Sequence, residues 1–417
     1  MSSFVIKGGG RLNGTISVPG AKNAATPILA ATLLTSDECT IHNIPAISDV
    51  ERMLSLLSSI GAQVKREGNT VVIKTSEVNL SKIPVDAVKG MRSSVLLFGP
   101  LLARAKNVTL PEPGGCIIGN RPLDSHLIGL KQLGVKVEVG VDNYQLQVDK
   151  LVGAKVTLPE FSVTATENLV MAAVLAQGKT IIELAAAEPN VQDLCNFLVM
   201  MGAKITGIGT HVLTINGVNK LRGTEYTIIP DPIEVGTWAV LAAVTRGQLT
   251  ISPVRPEHLS FVLMKLQQIG VNWKLTSDSL IVHSSRQLKS FRLQALPYPG
   301  FPTDLQAPFS ILATQANGTS VIHDPMYEGR LNHVAELIKM GANALVADPH
   351  RVVITGPTPL YGREINSYDL RSGATMIIAA LMAEGTSTIA GAEIVDRGYE
   401  KLEIRLQTVG ANIKRQA

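Results

Sequence analysis

The chain has 417 residues, of which 45% are hydrophobic and only 4% aromatic, and lysine plus arginine (38) barely exceed aspartate plus glutamate (34). This length suggests two or three domains. The near-balanced charge and scarce aromatic residues argue against the basic, aromatic-rich surface of a nucleic-acid-binding protein. The N-terminus, MSSFVIKGGGRLNG, lacks the apolar segment of a signal peptide, and the longest apolar run, near residues 374–383, is about half a membrane span. We therefore expect a cytoplasmic protein with neither nucleic-acid binding nor membrane insertion.

In chain order, a helix-like apolar run that ends in glycine recurs six times. The six glycines are Gly61, Gly134, Gly202, Gly270, Gly341 and Gly410, separated by 73, 68, 68, 71 and 69 residues. Glycine in this position predicts a left-handed helix end, and the alternating residues after it predict a strand pair.

Each repeat also contains an earlier helix-like run that is rich in small residues. These runs are apolar on most faces, so we expect buried helices with sheets outside them. The segments 17–27 (SVPGAKNAATP) and 228–238 (IIPDPIEVGTW) both pass from a strand through proline to a helix start. They favour two groups of three repeats, each about a pseudo-threefold axis. A single elongated repeat array is the alternative.

Charged residues occupy matching positions when the repeats are superposed. At the start of the first helix stand Lys22, Arg92, Asp304 and Arg371, and just before the second helix stand Arg121, Arg330 and Arg397. Helix N-termini attract anions, and arginine binds carboxylate or phosphate with two parallel hydrogen bonds. Any one of these residues could be an ordinary solvated charge. Six cations and one carboxylate in matched positions instead predict a site for substrates that carry about five negative charges.

The loop PEPGGCIIGNRPLDSH, residues 111–126, contains one of three scattered cysteines. Its glycines and prolines predict a shaped, hinged segment that could act as a lid. Cys116 lies five residues before Arg121, and a nearby guanidinium favours the reactive thiolate. Cys39 and Cys195 lie in apolar surroundings, so we expect them to be inert.

Six segments together resemble one family: VPGAKNAATP, GMRSSVLLFGPLLAR, PGGCIIGNRPLDSH, FPTDLQAP, YDLRSGA and IVDRGYEKLE. The family is that of UDP-N-acetylglucosamine 1-carboxyvinyltransferase, a branch of the EPSP synthase superfamily, and the resemblance spans the chain. It implies an α/β fold of two inside-out domains, each made of three βαβαββ repeats about a pseudo-threefold axis. The implied domains are residues 22–229, with the cysteine lid loop, and 1–21 plus 230–417, with the active site in the cleft between them.

The resemblance implies transfer of the enolpyruvyl group of phosphoenolpyruvate to the 3′-hydroxyl of UDP-N-acetylglucosamine, with release of phosphate through a tetrahedral intermediate. This is the first committed step of peptidoglycan synthesis. Cys116 is implied as proton donor, adduct-forming residue and target of the covalent inhibitor fosfomycin, and Asp304 as the base. The catalytic set is Cys116, Asp304, Lys22 and Arg397. The phosphoenolpyruvate set is Lys22, Asn23, Arg121, Arg371 and Arg397. The sugar-nucleotide set is Asn23, Arg92, Arg121, Pro122, Leu123, Asp124, Ser125, Ser162, Val163, Asp304, Met326 and Arg330. No metal or organic cofactor is implied.

Three positions depart from the common family pattern. Glu160 stands where many members have lysine, Thr164 replaces a frequent glycine, and Glu112 replaces a usual leucine. We do not expect Glu160 to bind substrate, because its charge would repel a diphosphate. The alternatives are a 3-phosphoshikimate 1-carboxyvinyltransferase, which lacks the cysteine loop, and a non-catalytic sugar-nucleotide-binding paralogue.

Overall fold

The structure, a computed structural model, describes residues 2–80, 83–114, 119, 121–285 and 287–416. The strands are β1 Ser3–Lys7, β2 Asn13–Ser17, β3 Cys39–His42, β4 Gln63–Glu67, β5 Thr70–Lys74, β6 Asn107–Pro111, β7 Lys136–Val139, β8 Asn143–Gln147, β9 Lys155–Thr157, β10 Lys179–Glu183, β11 Lys204–Thr206, β12 Val212–Asn216, β13 Glu225–Thr227, β14 Gln248–Ser252, β15 Asn272–Leu275, β16 Leu280–His283, β17 Arg292–Gln294, β18 Gly318–His323, β19 Asn343–Asp348, β20 Arg351–Gly356, β21 Glu364–Asn366, β22 Thr386–Ala390 and β23 Asn412–Gln416.

The helices alternate with these strands. They are α1 Lys22–Ala31, α2 Ser48–Ser59, α3 Val85–Lys89, α4 Phe98–Ala105, α5 Asp124–Gln132, α6 Val163–Ala173, α7 Pro189–Met200, α8 Pro232–Val244, α9 Ser260–Ile269, α10 Gln306–Gln315, α11 His333–Lys339, α12 Leu370–Met382, α13 Ala392–Val395 and α14 Leu402–Thr408. Short 3-10 turns lie at Thr32–Leu34, Arg92–Leu97, Pro256–His258 and Thr303–Leu305.

The chain forms two compact units. One, which we call the Lys22 unit, contains the described residues of 20–114 and 121–229. The other, the Asp304 unit, contains those of 2–19 and 230–416 together with Gly119. Each unit has its own apolar core.

In the described part of the Asp304 unit, the sheets have the strand orders β15-β16-β14-β2, β17-β18-β20-β19 and β21-β22-β1-β23. Each sheet combines one parallel pair with antiparallel pairs. In the first, β2 runs parallel to β14 with Ile16 opposite Ile251, and β14 is antiparallel to β16. The N-terminal strands β1 and β2 therefore complete sheets whose other strands come from the second half of the chain.

Two sheets in the described part of the Lys22 unit repeat this arrangement, whereas the third has three strands and its described pairs are antiparallel. The sheets of this unit have the orders β13-β3-β5-β4, β11-β12-β10-β9 and β6-β8-β7. Strand β9 runs parallel to β10, which is antiparallel to β12. The sequence β9-α6-β10-α7-β11-β12 is a complete βαβαββ repeat.

The first helix of each repeat is buried, as its composition predicts. Every residue of α12 from Leu370 to Leu381 is buried, and α10 packs against both α8 and α12. Strands present one side to these helices: in β5, Val71 and Ile73 are buried while their neighbours are not. The predicted α/β repeat fold with helices inside and sheets outside is thus confirmed.

The six repeat glycines have the predicted left-handed backbone. Their φ angles lie between +91° and +111°, a region that side chains disfavour. Among the described residues, no helix is long and apolar enough to cross a membrane.

Candidate active site

Helix α1 begins with two predicted binding residues, Lys22 and Asn23. The Lys22 ammonium lies 3.0 Å from Oδ2 of Asp49, a side chain on α2 that is only 2% exposed. Because the acid is buried, this ion pair fixes the direction of a lysine that is itself 16% exposed. The start of α1 also presents backbone N–H groups and the positive end of the helix dipole, so it favours an anion.

A second cationic group joins two other predicted residues of the Lys22 unit. The guanidinium of Arg92, the first residue of its 3-10 turn, donates to the backbone carbonyl of Arg121. Arg121 precedes helix α5, which starts at Asp124. Of the two residues between them, Leu123 is buried and Pro122 is exposed.

His126, on the same helix, is a structural residue. Its Nδ1 accepts from the amide of Asn168 at 2.9 Å, so its Nε2–H donates to Thr164 at 3.0 Å. Burial, with the charges of Arg92 and Arg121, lowers the pKa of His126 to about 3. The imidazole is therefore neutral at physiological pH and its hydrogen bonds are satisfied.

The start of α6 contains the predicted residues Ser162 and Val163. Ser162 caps the helix by accepting from the backbone N–H of Ala165 at 3.4 Å. Nearby, the buried hydroxyl of Ser125 donates to Oε1 of Glu160 at 3.1 Å. The Ser125 hydroxyl, which the resemblance assigns to binding of the sugar nucleotide, is thus hydrogen-bonded to Glu160.

In the Asp304 unit, one carboxylate is held between two arginines. Asp304 accepts from Nη2 of Arg330 at 2.8 Å and from Nε of Arg371 at 3.2 Å. The arginine side chains are 9% and 4% exposed, and that of Asp304 is 19% exposed. Opposite charges at these distances attract each other, so the two arginines fix the position of the carboxylate.

Arg371 has further partners. A carboxylate oxygen of Asp231 lies 3.9 Å away, and the guanidinium carbon lies 5.4 Å from the ring centre of Tyr399. Burial alone would lower the pKa of Arg371, but Tyr399, Asp304 and Asp231 raise it on balance. The guanidinium is therefore a permanent cation.

Arg330 is fixed through its backbone as well as its side chain. Its carbonyl accepts from Nε2 of Gln306 at 2.8 Å and from Nδ1 of His333 at 3.1 Å. Burial lowers the pKa of His333 to about 4, so this histidine is neutral. The remaining predicted residues of the unit are Met326, which follows β18, and Arg397, which lies between α13 and α14.

Cys116, the predicted proton donor and adduct-forming residue, lies outside the described residues. The chain leading to it is anchored by pairing of β6 with β8 and by the N–H of Glu112, which donates to Asp142 at 3.0 Å. Gly114 then passes so close to Lys89 that a Cβ would lie 1.8 Å from its carbonyl oxygen. Only glycine fits here. The other two cysteines are buried, and burial raises the pKa of Cys195 to about 12.

Sequence reasoning missed the buried residues that hold the predicted ones. Asp49 orients Lys22, and Gln306 and His333 hold Arg330. An aspartate near a helix start gives no sign in the sequence that it will be buried. In the described part of the chain, no group of three or more histidine, cysteine, aspartate or glutamate side chains could hold a metal ion.

Solved structures of other proteins have this fold. The enolpyruvyl transferase NikO from Streptomyces tendae superposes with a TM-score of 0.91 at 24% identity, covering 100% of this chain and 99% of its own. EPSP synthase from Acinetobacter baumannii gives 0.77 at 20% identity, covering 100% of both chains. A sequence model of the family EPSP synthase (3-phosphoshikimate 1-carboxyvinyltransferase) matches residues 6–406. The chain therefore belongs to the EPSP synthase family.

Several relatives with higher identity have the name UDP-N-acetylglucosamine 1-carboxyvinyltransferase. The protein of Treponema denticola is 44% identical over 99% of both chains. That of Carboxydothermus hydrogenoformans, form 1, is 45% identical over 100% of this chain and 98% of its own. That of Bacillus subtilis, form 2, is 43% identical over 100% and 97%. The resemblance indicated by the sequence motifs is confirmed.

Proposed function

We propose that this enzyme transfers the enolpyruvyl group of phosphoenolpyruvate to the 3′-hydroxyl of UDP-N-acetylglucosamine and releases phosphate, as the first committed step of peptidoglycan synthesis. The assignment of UDP-N-acetylglucosamine as the acceptor rests on full-length identity of 43–45% to enzymes named UDP-N-acetylglucosamine 1-carboxyvinyltransferase. The 3-phosphoshikimate alternative is not favoured, because EPSP synthase structures share only the fold, at 20% identity. A cytoplasmic location stays a prediction.

The reaction has two steps. In the addition, C3 of phosphoenolpyruvate gains a proton, and the acceptor oxygen loses its proton to a base and bonds to C2. In the elimination, C3 loses a proton, the double bond re-forms, and the C2–O bond to phosphate breaks. The enzyme must therefore supply an acid, a base and cations for the phosphate and carboxylate.

Asp304 is the base in this proposal. Its support is the pair of buried arginines that hold the carboxylate in place, together with a side chain that remains 19% exposed. A base must reach its substrate within hydrogen-bond distance, so partial exposure is required. Cys116, by family resemblance, is the acid that protonates C3.

The predicted cations serve two anionic substrates. Lys22, Arg121, Arg371 and Arg397, with Asn23, bind phosphoenolpyruvate. Arg92, Arg121, Arg330 and the segments 122–125 and 162–163, with Asn23, Asp304 and Met326, bind the sugar nucleotide. Support comes from the buried partners that orient these side chains, such as Asp49 for Lys22. Fixed cations stabilise developing charge without reorganising during the reaction.

The test is phosphate release from phosphoenolpyruvate with either UDP-N-acetylglucosamine or shikimate 3-phosphate as acceptor. The proposal expects release with the sugar nucleotide alone. Release with shikimate 3-phosphate alone would establish the rival activity. Release with neither acceptor, together with tight binding of the sugar nucleotide, would indicate a non-catalytic binding protein.

A further inference from the structure

One buried carboxylate joins two loops of the Asp304 unit that contain predicted site residues. Asp304 lies on the turn Thr303–Leu305, and Met326 lies on the loop after β18. Between them, Oδ2 of Asp324 accepts from the hydroxyl of Thr303 at 2.5 Å, and its Oδ1 accepts from the N–H of Met326 at 3.0 Å. The Asp324 side chain is fully buried.

The backbone of Asp324 is itself fixed to a sheet. Its N–H donates to the carbonyl of His350 at 2.8 Å, and its carbonyl accepts from Nδ1 of the same residue at 2.8 Å. His350 connects β19 to β20, which pairs with β18. Asp324 therefore connects a rigid sheet to both loops.

Burying this carboxylate is unfavourable unless hydrogen bonds offset the loss of its hydration. Burial raises the pKa of Asp324, and the hydrogen bonds from Thr303 and Met326 and the charge of Arg330 only partly oppose this shift. An apolar residue would fill the same space without the desolvation cost of a polar group. The carboxylate instead uses both oxygens to hold backbone segments next to Asp304 and at Met326.

We propose that Asp324 is a positioning residue for enolpyruvyl transfer, which acts through Thr303 to set the place of the base Asp304. This inference rests on the proposed function. Without the carboxylate, the Thr303 hydroxyl and the Met326 N–H lose their partner and the turn that holds Asp304 can shift. A misplacement of about 1 Å costs on the order of 100-fold in rate.

Three single variants and one double variant test the proposal. Asp324→Ala removes both hydrogen bonds, whereas Asp324→Asn can still accept from Met326 and donate to Thr303. We expect kcat to fall about 10- to 100-fold in the alanine variant, and by less than about 5-fold in the asparagine variant. The Kd for UDP-N-acetylglucosamine should rise by less than kcat falls, because Asp304 and Met326 are only two of its predicted contacts, whereas the base acts mainly in the transition state. Thr303→Val should also lower kcat, and its combination with Asp324→Ala should cost no more than the latter alone.

Glu336→Ala is the matched control. Glu336 is also fully buried in this unit, but it accepts from Tyr368 at 2.7 Å and Lys339 at 2.8 Å instead. This variant should lose stability and keep its kcat. An equal loss of kcat in this control would overturn the proposal, because it would reflect general destabilisation.

Hydrogen exchange of the amides at residues 303–306 tests whether Asp324 holds this turn in place, without measuring activity. Exchange should be faster in Asp324→Ala than in the wild type and the asparagine variant. Unchanged exchange in the alanine variant would overturn the inference whatever its kcat. A wild type that is inactive with UDP-N-acetylglucosamine would overturn the proposed function instead, and exchange would still test the positioning of the turn.

Discussion

Replacing Asp304 with asparagine removes one negative charge and keeps the size of the side chain. In the folded enzyme, that charge is shared by Arg330 at 2.8 Å and Arg371 at 3.2 Å, both nearly buried. The asparagine carbonyl can still accept a hydrogen bond from either arginine, but it neutralises neither. The variant therefore tests proton transfer and charge balance together.

The structure sets the size of both effects. Removing one partner of a buried ion pair costs about 3–5 kcal/mol, and we expect the lower end because Asp231 still lies 3.9 Å from Arg371. Loss of a positioned base lowers turnover about 10²- to 10⁴-fold. This corresponds to about 3–5 kcal/mol in the activation barrier.

Phosphate release, urea denaturation and calorimetric binding of UDP-N-acetylglucosamine measure these effects. We expect turnover to fall while the nucleotide still binds. Glu183→Gln, which breaks an exposed 2.8 Å pair with Lys155, is the control and should leave turnover unchanged. Turnover of Asp304→Asn within about threefold of the wild type would remove Asp304 as the base.

Three further perturbations have defined outcomes. Asp49→Asn frees Lys22 from its buried partner and should raise KM for phosphoenolpyruvate about tenfold; an unchanged KM in steady-state kinetics would contradict this. Fosfomycin should add to Cys116 and not to Cys195, because burial raises the pKa of the Cys195 thiol to about 12 and leaves it unreactive. Peptide mass mapping that finds the adduct on a buried cysteine would refute this. Because the folded pKa of His126 is lowered to about 3, the stability that its neutral form contributes should be lost as pH falls from about 6.5 towards 3. His126→Gln should flatten this part of the stability profile in urea titrations, and an unaltered slope would count against it.

The repeat was predictable because its signals are local. A helix that ends in the left-handed conformation needs glycine, and the six glycines from Gly61 to Gly410 all adopt it. Helices rich in alanine lack a polar face, so their burial followed from composition, as α12 shows. Lys22 and Arg371 could be placed at helix starts because the signals for a helix start are also local in the sequence.

The partners of the site residues were not predictable, because they are distant in sequence. Thr303 and Asp324 are separated by 21 residues, and Ser125 and Glu160 by 35. Whether an aspartate lies in solvent or in the core depends on which loops the fold brings together. Glu160 accepts a hydrogen bond from Ser125, which agrees with the expectation that Glu160 does not bind substrate. The sequence position of Glu160 could not show that the Ser125 hydroxyl would be its partner.

The most direct measurement of the proposed chemistry is the reaction with UDP-N-acetylglucosamine and phosphoenolpyruvate in deuterated water. Addition followed by elimination turns C3 into a methyl group that has gained a solvent deuteron, and this group then loses a proton or a deuteron. The vinyl group of the product should therefore contain deuterium, seen by mass spectrometry and proton NMR, with one phosphate released per product. A product free of deuterium, or phosphate released without an enolpyruvyl ether, would contradict the mechanism.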